Sequence, residues 1–193
     1  MKNERDSSIL SSFLSNAKEK RLKNTKRMAK RFEIVDGIKS DIMFKAYGRD
    51  LSELFKNSAL ALSSLMCRLS MVPKKQSYHF SFKGSIEHIL YDFLSKILYI
   101  CDSEEVFLSD FEVVVKPNVE ISSSEASSHM KTQTLFFPDT SSNYSLSASC
   151  WGSLATSKAA KMSIKAITMH KLKISVEQQD NGAVLSAQVV VDV

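Results

Sequence analysis

Apolar and polar residues alternate from Asp41 to Gly48, with Ile42, Phe44 and Ala46 on one face and Asp41, Met43, Lys45 and Tyr47 on the other. A period of two predicts a half-buried strand with Asp41 on its more polar side. The pattern then changes to a helical one. Asp50 stands at an N-cap position with Glu53 three residues on, and Leu51, Leu54, Phe55, Leu62, Leu65, Met66 and Leu69 recur at helical spacing. Residues 77–83, SYHFSFK, alternate again. Ser85 is placed to cap a second helix whose apolar face is Ile86, Ile89, Leu90, Phe93, Leu94, Ile97 and Leu98. Further strands are predicted over 105–116 and 143–152, and along MSIKAITMHKLKISVEQ. The Asn181-Gly182 turn signal then leads into AVLSAQVVVDV. Strand, helix, strand, helix, then several antiparallel strands is an α+β order, with two helices packed on a mixed or antiparallel sheet.

Two segments fall outside this pattern. Residues 1–31 lack a sustained apolar period and read as a flexible arm, so the domain is expected over 32–193. Within it, the Ser-rich stretch at about 117–142 is longer than a compact domain needs and reads as an insertion, disordered or lid-like.

Charge sharpens the division. Residues 18–31 hold eight Lys or Arg against Glu19, a local excess of +7 in a chain of net charge +5, so everything else sums to −2. The basicity is a property of the arm, which could contact RNA or act as a nuclear address, and the domain is close to neutral. The arm is also Ser-rich and weakly amphipathic, which leaves an organellar transit segment open; a secretory signal is not expected, because MKNERDSSIL puts charges where an apolar core would begin. The longest apolar run, ILYDFLSKILYI, is broken by Asp92 and Lys96 and falls short of the roughly 20 residues of a membrane span. Cys67, Cys101 and Cys150 are odd in number and lack CxxC spacing, so they read as reduced, mostly buried thiols of a cytoplasmic or nuclear protein.

The candidate chemistry is acidic. In the last strand Ala183, Leu185, Ala187, Val189, Val191 and Val193 share one face, and Val184, Ser186, Gln188, Val190 and Asp192 the other. If the first and last strands meet, Asp41 and Asp192 face one another beside the terminal carboxylate of Val193. Three oxygen-bearing groups without sulfur or imidazole suit calcium, magnesium or manganese rather than zinc. The plainer alternative is that Asp36 before Gly37 is an ordinary turn, Asp41 merely begins a strand, and Asp192 keeps a frayed end soluble. Continuous alternation through SIKAITMHK puts Lys165 with Ser163, Ile167, Met169, Lys171 and Lys173. The opposite face then holds Met162, Ile164, Ala166, Thr168, His170, Leu172, Ile174 and Val176. On that reading His170 is a hydrogen-bonded core histidine, and Lys165 is either a solvated lysine or a contact to an acidic partner. His79, His88, His129 and His170 show no recognisable Ser or Cys partner, GxSxG is absent, and five glycines include no phosphate-cradling loop. An RNA-recognition sheet motif is missing too, so nucleic-acid binding would fall to residues 18–31.

Five segments in order carry a family resemblance. FEIVDGIKSDIMFKAYGRDLSELFKNSALALSSLM resembles the start of the archease family, with its aromatic-Glu strand, Asp-His-Thr-Ala-Asp motif, strand ending in Ala-aromatic-Gly, and helix opening Leu-x-Glu-x-Phe. IEHILYDFLSKILYI is similar to its second helix, CWG to its Trp-Gly step, IKAITMH to its Lys-Ala-Ile-Thr-Tyr-His strand, and VVVDV to its terminal Asp-Ile. The resemblance implies a small, non-catalytic activator of an RtcB-type RNA ligase, which promotes ligase guanylylation and multiple turnover in tRNA splicing; the chain is expected to be a monomer. It also implies a metal held at Asp41, Asp192 and Val193, with Lys165 in ligase activation. DGIKSD replaces the family's DHTAD, losing the His and Thr and gaining one residue, so Asp36 is at most an accessory ligand while Asp41 is anchored by the strand after it.

Overall fold

A computed structural model describes residues 30–35, 41–118, 143–179 and 182–193. The basic arm up to residue 29, Asp36, and residues 119–142 of the predicted insertion lie outside the described residues.

The order of elements is β1 (Phe32–Val35), β2 (Asp41–Gly48), α1 (Leu51–Met66), β3 (Gln76–Gly84), α2 (Ile86–Ser103), β4 (Val106–Pro117), β5 (Tyr144–Leu154), β6 (Ala166–Gln179) and β7 (Gly182–Asp192). The α+β class holds. The strands divide into two antiparallel sheets, β1-β2-β7-β6 and β3-β5-β4. Both helices touch both sheets: α1 packs on β2 and β4, and α2 on β6 and β3. This explains α1, where even Asn57, Ser58 and Ser63 are buried beside Leu54, Phe55, Ala59, Leu62 and Leu65. A helix covered on two sides has little solvent face left. Phe93 of α2 ties the layers together, with its ring 6.0 Å from both Phe55 of α1 and Phe80 of β3.

The passage from β2 to α1 is fixed by local chemistry. Asp50 caps α1 by accepting from the Glu53 amide at 2.8 Å, and the Glu53 carboxylate reaches back to the Arg49 amide at 2.8 Å. Asn57 Nδ2 donates to the Tyr47 carbonyl at 2.7 Å, tying the helix to the strand it leaves. Gly48 is required at the corner, because a Cβ there would stand 2.3 Å from the Leu54 nitrogen.

Two expectations are corrected at helix ends. Leu69 is not part of α1: the helix stops at Met66, Cys67 turns extended and bridges to Ala160, and Leu69 opens a separate 3-10 turn. Ser85 does occupy the N-cap of α2, but its hydroxyl bonds to His88 Nδ1 at 2.8 Å instead of to a helix amide.

The larger correction concerns β6. Ala166, Ile167 and Thr168 stand opposite Asp192, Val191 and Val190, yet the next partnered residue is Lys173, opposite Gln188. Four residues, Met169 to Leu172, therefore span what one residue, Val189, spans on β7. The bulge reverses the inside-outside phase of the strand. Ile167 and Leu172, which strict alternation put on opposite faces, are both buried at 5% and 8%. His170, expected in the core, is exposed on the bulge.

Candidate metal and partner site

Asp41 and Asp192 are direct cross-strand partners in the β2/β7 ladder. Opposite residues of an antiparallel pair share a face, with Cβ atoms about 5 Å apart. The juxtaposition follows from burial: Phe44, Ala46, Leu185, Ala187, Val189 and Val191 all point inward, which sets the register and leaves the aspartates together at the sheet's end. Asp41 is exposed, and Asp192 and Val193 are half-buried.

Lys165 joins them from the third strand. Its amide donates to the Asp192 carbonyl at 2.8 Å, and its Nζ donates to the Val193 main-chain oxygen at 2.9 Å. Lys165 lies one residue before β6, exposed, and not within the strand as continuous alternation implied. Four of the five residues singled out by sequence thus converge, whereas Asp36 is outside the described residues.

The donor set can be judged against a hard cation. It consists of two carboxylates and the Val193 oxygen, and Lys165 Nζ already places a positive group on that oxygen. Among the described residues no cluster of three or more His, Cys, Asp or Glu could hold a metal, so a thiolate or imidazole site is not offered. Oxygen donors completed by water fit calcium, magnesium or manganese. Two like charges facing across a ladder repel each other, which is the imbalance a bound cation would offset.

Further along the same outer face, charges are paired. Lys45 Nζ contacts Glu177 Oε1 at 3.2 Å, and the Tyr47 hydroxyl donates to Glu33 Oε1 at 2.5 Å. Burial, and then the adjacent Glu33 carboxylate, hold the Tyr47 phenol well above its ordinary range. Neither contact was visible in sequence, because each links residues whose neighbourhood depends on sheet order. The three thiols are buried and free, and burial pushes Cys67 up to about 11 and Cys101 and Cys150 up to about 12. Such thiols are poor nucleophiles and ligands.

Two histidines do have serine partners, contrary to expectation. Besides His88 with Ser85, His79 Nδ1 lies 2.9 Å from Ser149 Oγ, its cross-strand partner. The row does not form a catalytic relay. Glu112 stands opposite Ser149 rather than beside His79, whereas a triad needs the acid to orient the base. His129 lies outside the described residues.

The sequence as a whole matches known proteins. A family-wide sequence model described as "Archease protein family (MTH1598/TM1083)" matches residues 32–193. The chain is 31% identical over 155 residues to protein archease of Archaeoglobus fulgidus, covering 80% of this chain and 93% of that one. It is 36% identical over 87 residues to protein archease of Methanothermobacter thermautotrophicus, a match spanning 45% of this chain and 61% of the relative. The solution structure of Methanobacterium thermoautotrophicum protein 1598 shares the fold at a TM-score of 0.59 and 23% identity, over 84% of this chain and 99% of that one.

Proposed function

Because this chain belongs to the Archease family, we propose that it activates an RtcB-type RNA ligase, promoting ligase guanylylation and multiple turnover in tRNA splicing, and does not itself join RNA. The observation that supports this reading most directly is the pairing of Asp41 with Asp192, with Lys165 bonded to the Asp192 and Val193 oxygens. In this reading Asp41, Asp192 and Val193, through its main-chain oxygen, hold a divalent cation: calcium, magnesium or manganese. Such an ion supplies positive charge for anionic oxygens of a partner or its nucleotide.

The protein's own residues perform the rest. The ladder register holds the two aspartates in place without a mobile loop, and Lys165 fixes the Val193 oxygen and adds a fixed cation. The protein works as a monomer that offers this strand end to the ligase, in the cytoplasm or nucleus. Among the described residues no helix is long and apolar enough to cross a membrane.

The test is to add the protein to a cognate RtcB-type ligase with GTP and manganese and follow ligase guanylylation. Wild type is expected to accelerate it, and Asp41→Ala, Asp192→Ala and Lys165→Ala to lose most of that effect. Absence of stimulation by wild type, or undiminished stimulation by the two aspartate variants, refutes the reading.

A further inference from the structure

The β6 bulge begins three residues beyond Ala166, the strand position that faces Asp192, and it is held in place by side chains. The His170 amide donates to Thr168 Oγ1 at 2.8 Å, and Gln188 Nε2 donates to the Lys171 carbonyl at 3.2 Å. Lys171 takes the left-handed conformation, at φ +59°, which a long side chain rarely adopts. A strained backbone fixed by two side-chain bonds is a built feature, and bulges of this kind re-aim side chains beside functional sites.

What the bulge aims outward is specific. Met169 is 41% exposed, and His170 and Lys171 are exposed with it. On the same segment Met162 is 39% exposed, and Lys165 and Lys173 are exposed. Among the described residues Lys171 and Lys173 form no salt bridge, whereas Lys45 nearby on the sheet is paired with Glu177. Among the described residues β6 is an edge strand, so these groups line a margin of the sheet beside the aspartates. Exposed thioethers are adaptable apolar anchors, and unpaired lysines around them seek acidic groups. Residues 161–173 contain no Phe, Tyr or Trp, the side chains on which nucleotide bases stack, so a protein surface fits better than RNA.

We propose that the Met169–Lys171 bulge is the docking element for a protein partner whose surface offers an apolar socket rimmed with carboxylates. Met169 fills the socket, and Lys171, with Lys173, meets the rim. The proposal rests on the ligase-activator reading and takes the ligase as that partner: the bulge supplies affinity, and the Asp41/Asp192 end supplies activation.

The experiment measures the dissociation constant of the full chain for the ligase, together with stimulation of guanylylation at saturating protein. Met169→Ala combined with Lys171→Glu is expected to weaken binding about tenfold or more and to leave stimulation at saturation near wild type. Gln188→Ala, which frees the bulge without touching its outward groups, is expected to weaken binding less. Unchanged melting temperatures verify that both variants are folded. Wild-type affinity in the double variant overturns the proposal while leaving the activator reading intact. So does a variant that keeps ligase affinity but loses salt-sensitive RNA binding, which would make this margin a nucleic-acid surface. A wild-type protein that neither binds nor stimulates the ligase overturns both.

Discussion

Asp41→Asn should make the protein more stable without divalent cations and less stable with them. The substitution keeps the shape of the side chain and removes one of two charges that face each other across the β2/β7 ladder. Like charges directly opposite in a sheet cost roughly 0.2–1 kcal/mol. Asp41 is exposed and Lys165 lies beside the pair, so water and the ammonium screen the repulsion and the gain belongs near about 0.5 kcal/mol. For a chain of this size each kcal/mol moves the melting temperature by roughly 2–4 °C. In chelator the variant should therefore melt about 1–2 °C above wild type. With a cation at a hundred times its dissociation constant, linkage adds about 2.7 kcal/mol to a protein that binds it. Wild type should then rise by roughly 5–11 °C and overtake a variant that has lost a ligand.

Calorimetry in chelator, and then in graded calcium, magnesium and manganese, reads both halves. The reversal of order separates a metal site from a solvated strand end. If wild type gains nothing at millimolar cation, or Asp41→Asn gains as much, Asp41 is not a ligand. If the variant is already less stable in chelator by more than about 1 kcal/mol, the carboxylate makes a structural hydrogen bond and the repulsion argument is wrong.

Two further outcomes test the packing. A Cβ at Gly152 would stand 1.9 Å from the Phe107 carbonyl oxygen across the β4/β5 ladder, so Gly152→Ala must push the strands apart. It should cost at least the roughly 1–3 kcal/mol of an overpacked core, read as a lower urea midpoint; a midpoint within error of wild type would refute the close approach. The buried thiols set an alkaline limit. A thiol that titrates near 9 when unfolded but near 12 at Cys101 and Cys150 stays protonated longer in the folded state, so stability is full below pH 9 and falls as pH rises toward 12. The slope is at most about 1.4 kcal/mol per pH unit for each thiol. Urea titrations at pH 8, 9.5 and 10.5 should show the decline, and Cys150→Ala, though less stable throughout, should show a shallower one.

Much of the candidate site's placement was legible in sequence because one face of each of two strands is strongly apolar, although Tyr47, Ser186 and Val190 on the opposite face are buried as well. Phe44 and Ala46 on β2, and Leu185, Ala187, Val189 and Val191 on β7, share one buried face, and with the strands antiparallel Asp41 meets Asp192. Sheet membership was less legible. Nothing local in SYHFSFK or NYSLSASCWG tells whether those strands extend the β2/β7 sheet or form a second one beneath the helices. The clue lay in α1, whose interior carries buried Asn57, Ser58 and Ser63 among a nearly continuous set of apolar and small residues, too wide a stripe for a helix with one covered side.

The bulge was the residual failure, and its cause is parity. Alternation assigned Ile167 and Leu172 to opposite faces, although a strand at the sheet's margin has only one face turned toward the helices. Five steps separate them, an odd number, so no straight strand buries both. The conflict was present in the letters, but resolving it required knowing that both ends of the strand pair with β7. The N-terminal end must pair so that Ala166 meets Asp192, which brings the Lys165 amide to the Asp192 carbonyl; the C-terminal end must bury Leu172, Ile174 and Val176 under α2. A four-for-one bulge satisfies both demands at the expense of one left-handed residue. The irregularity that spoiled the periodic reading is therefore what allows Lys165 to reach Val193 at all, and it sits where the strand changes from building the core to building the site.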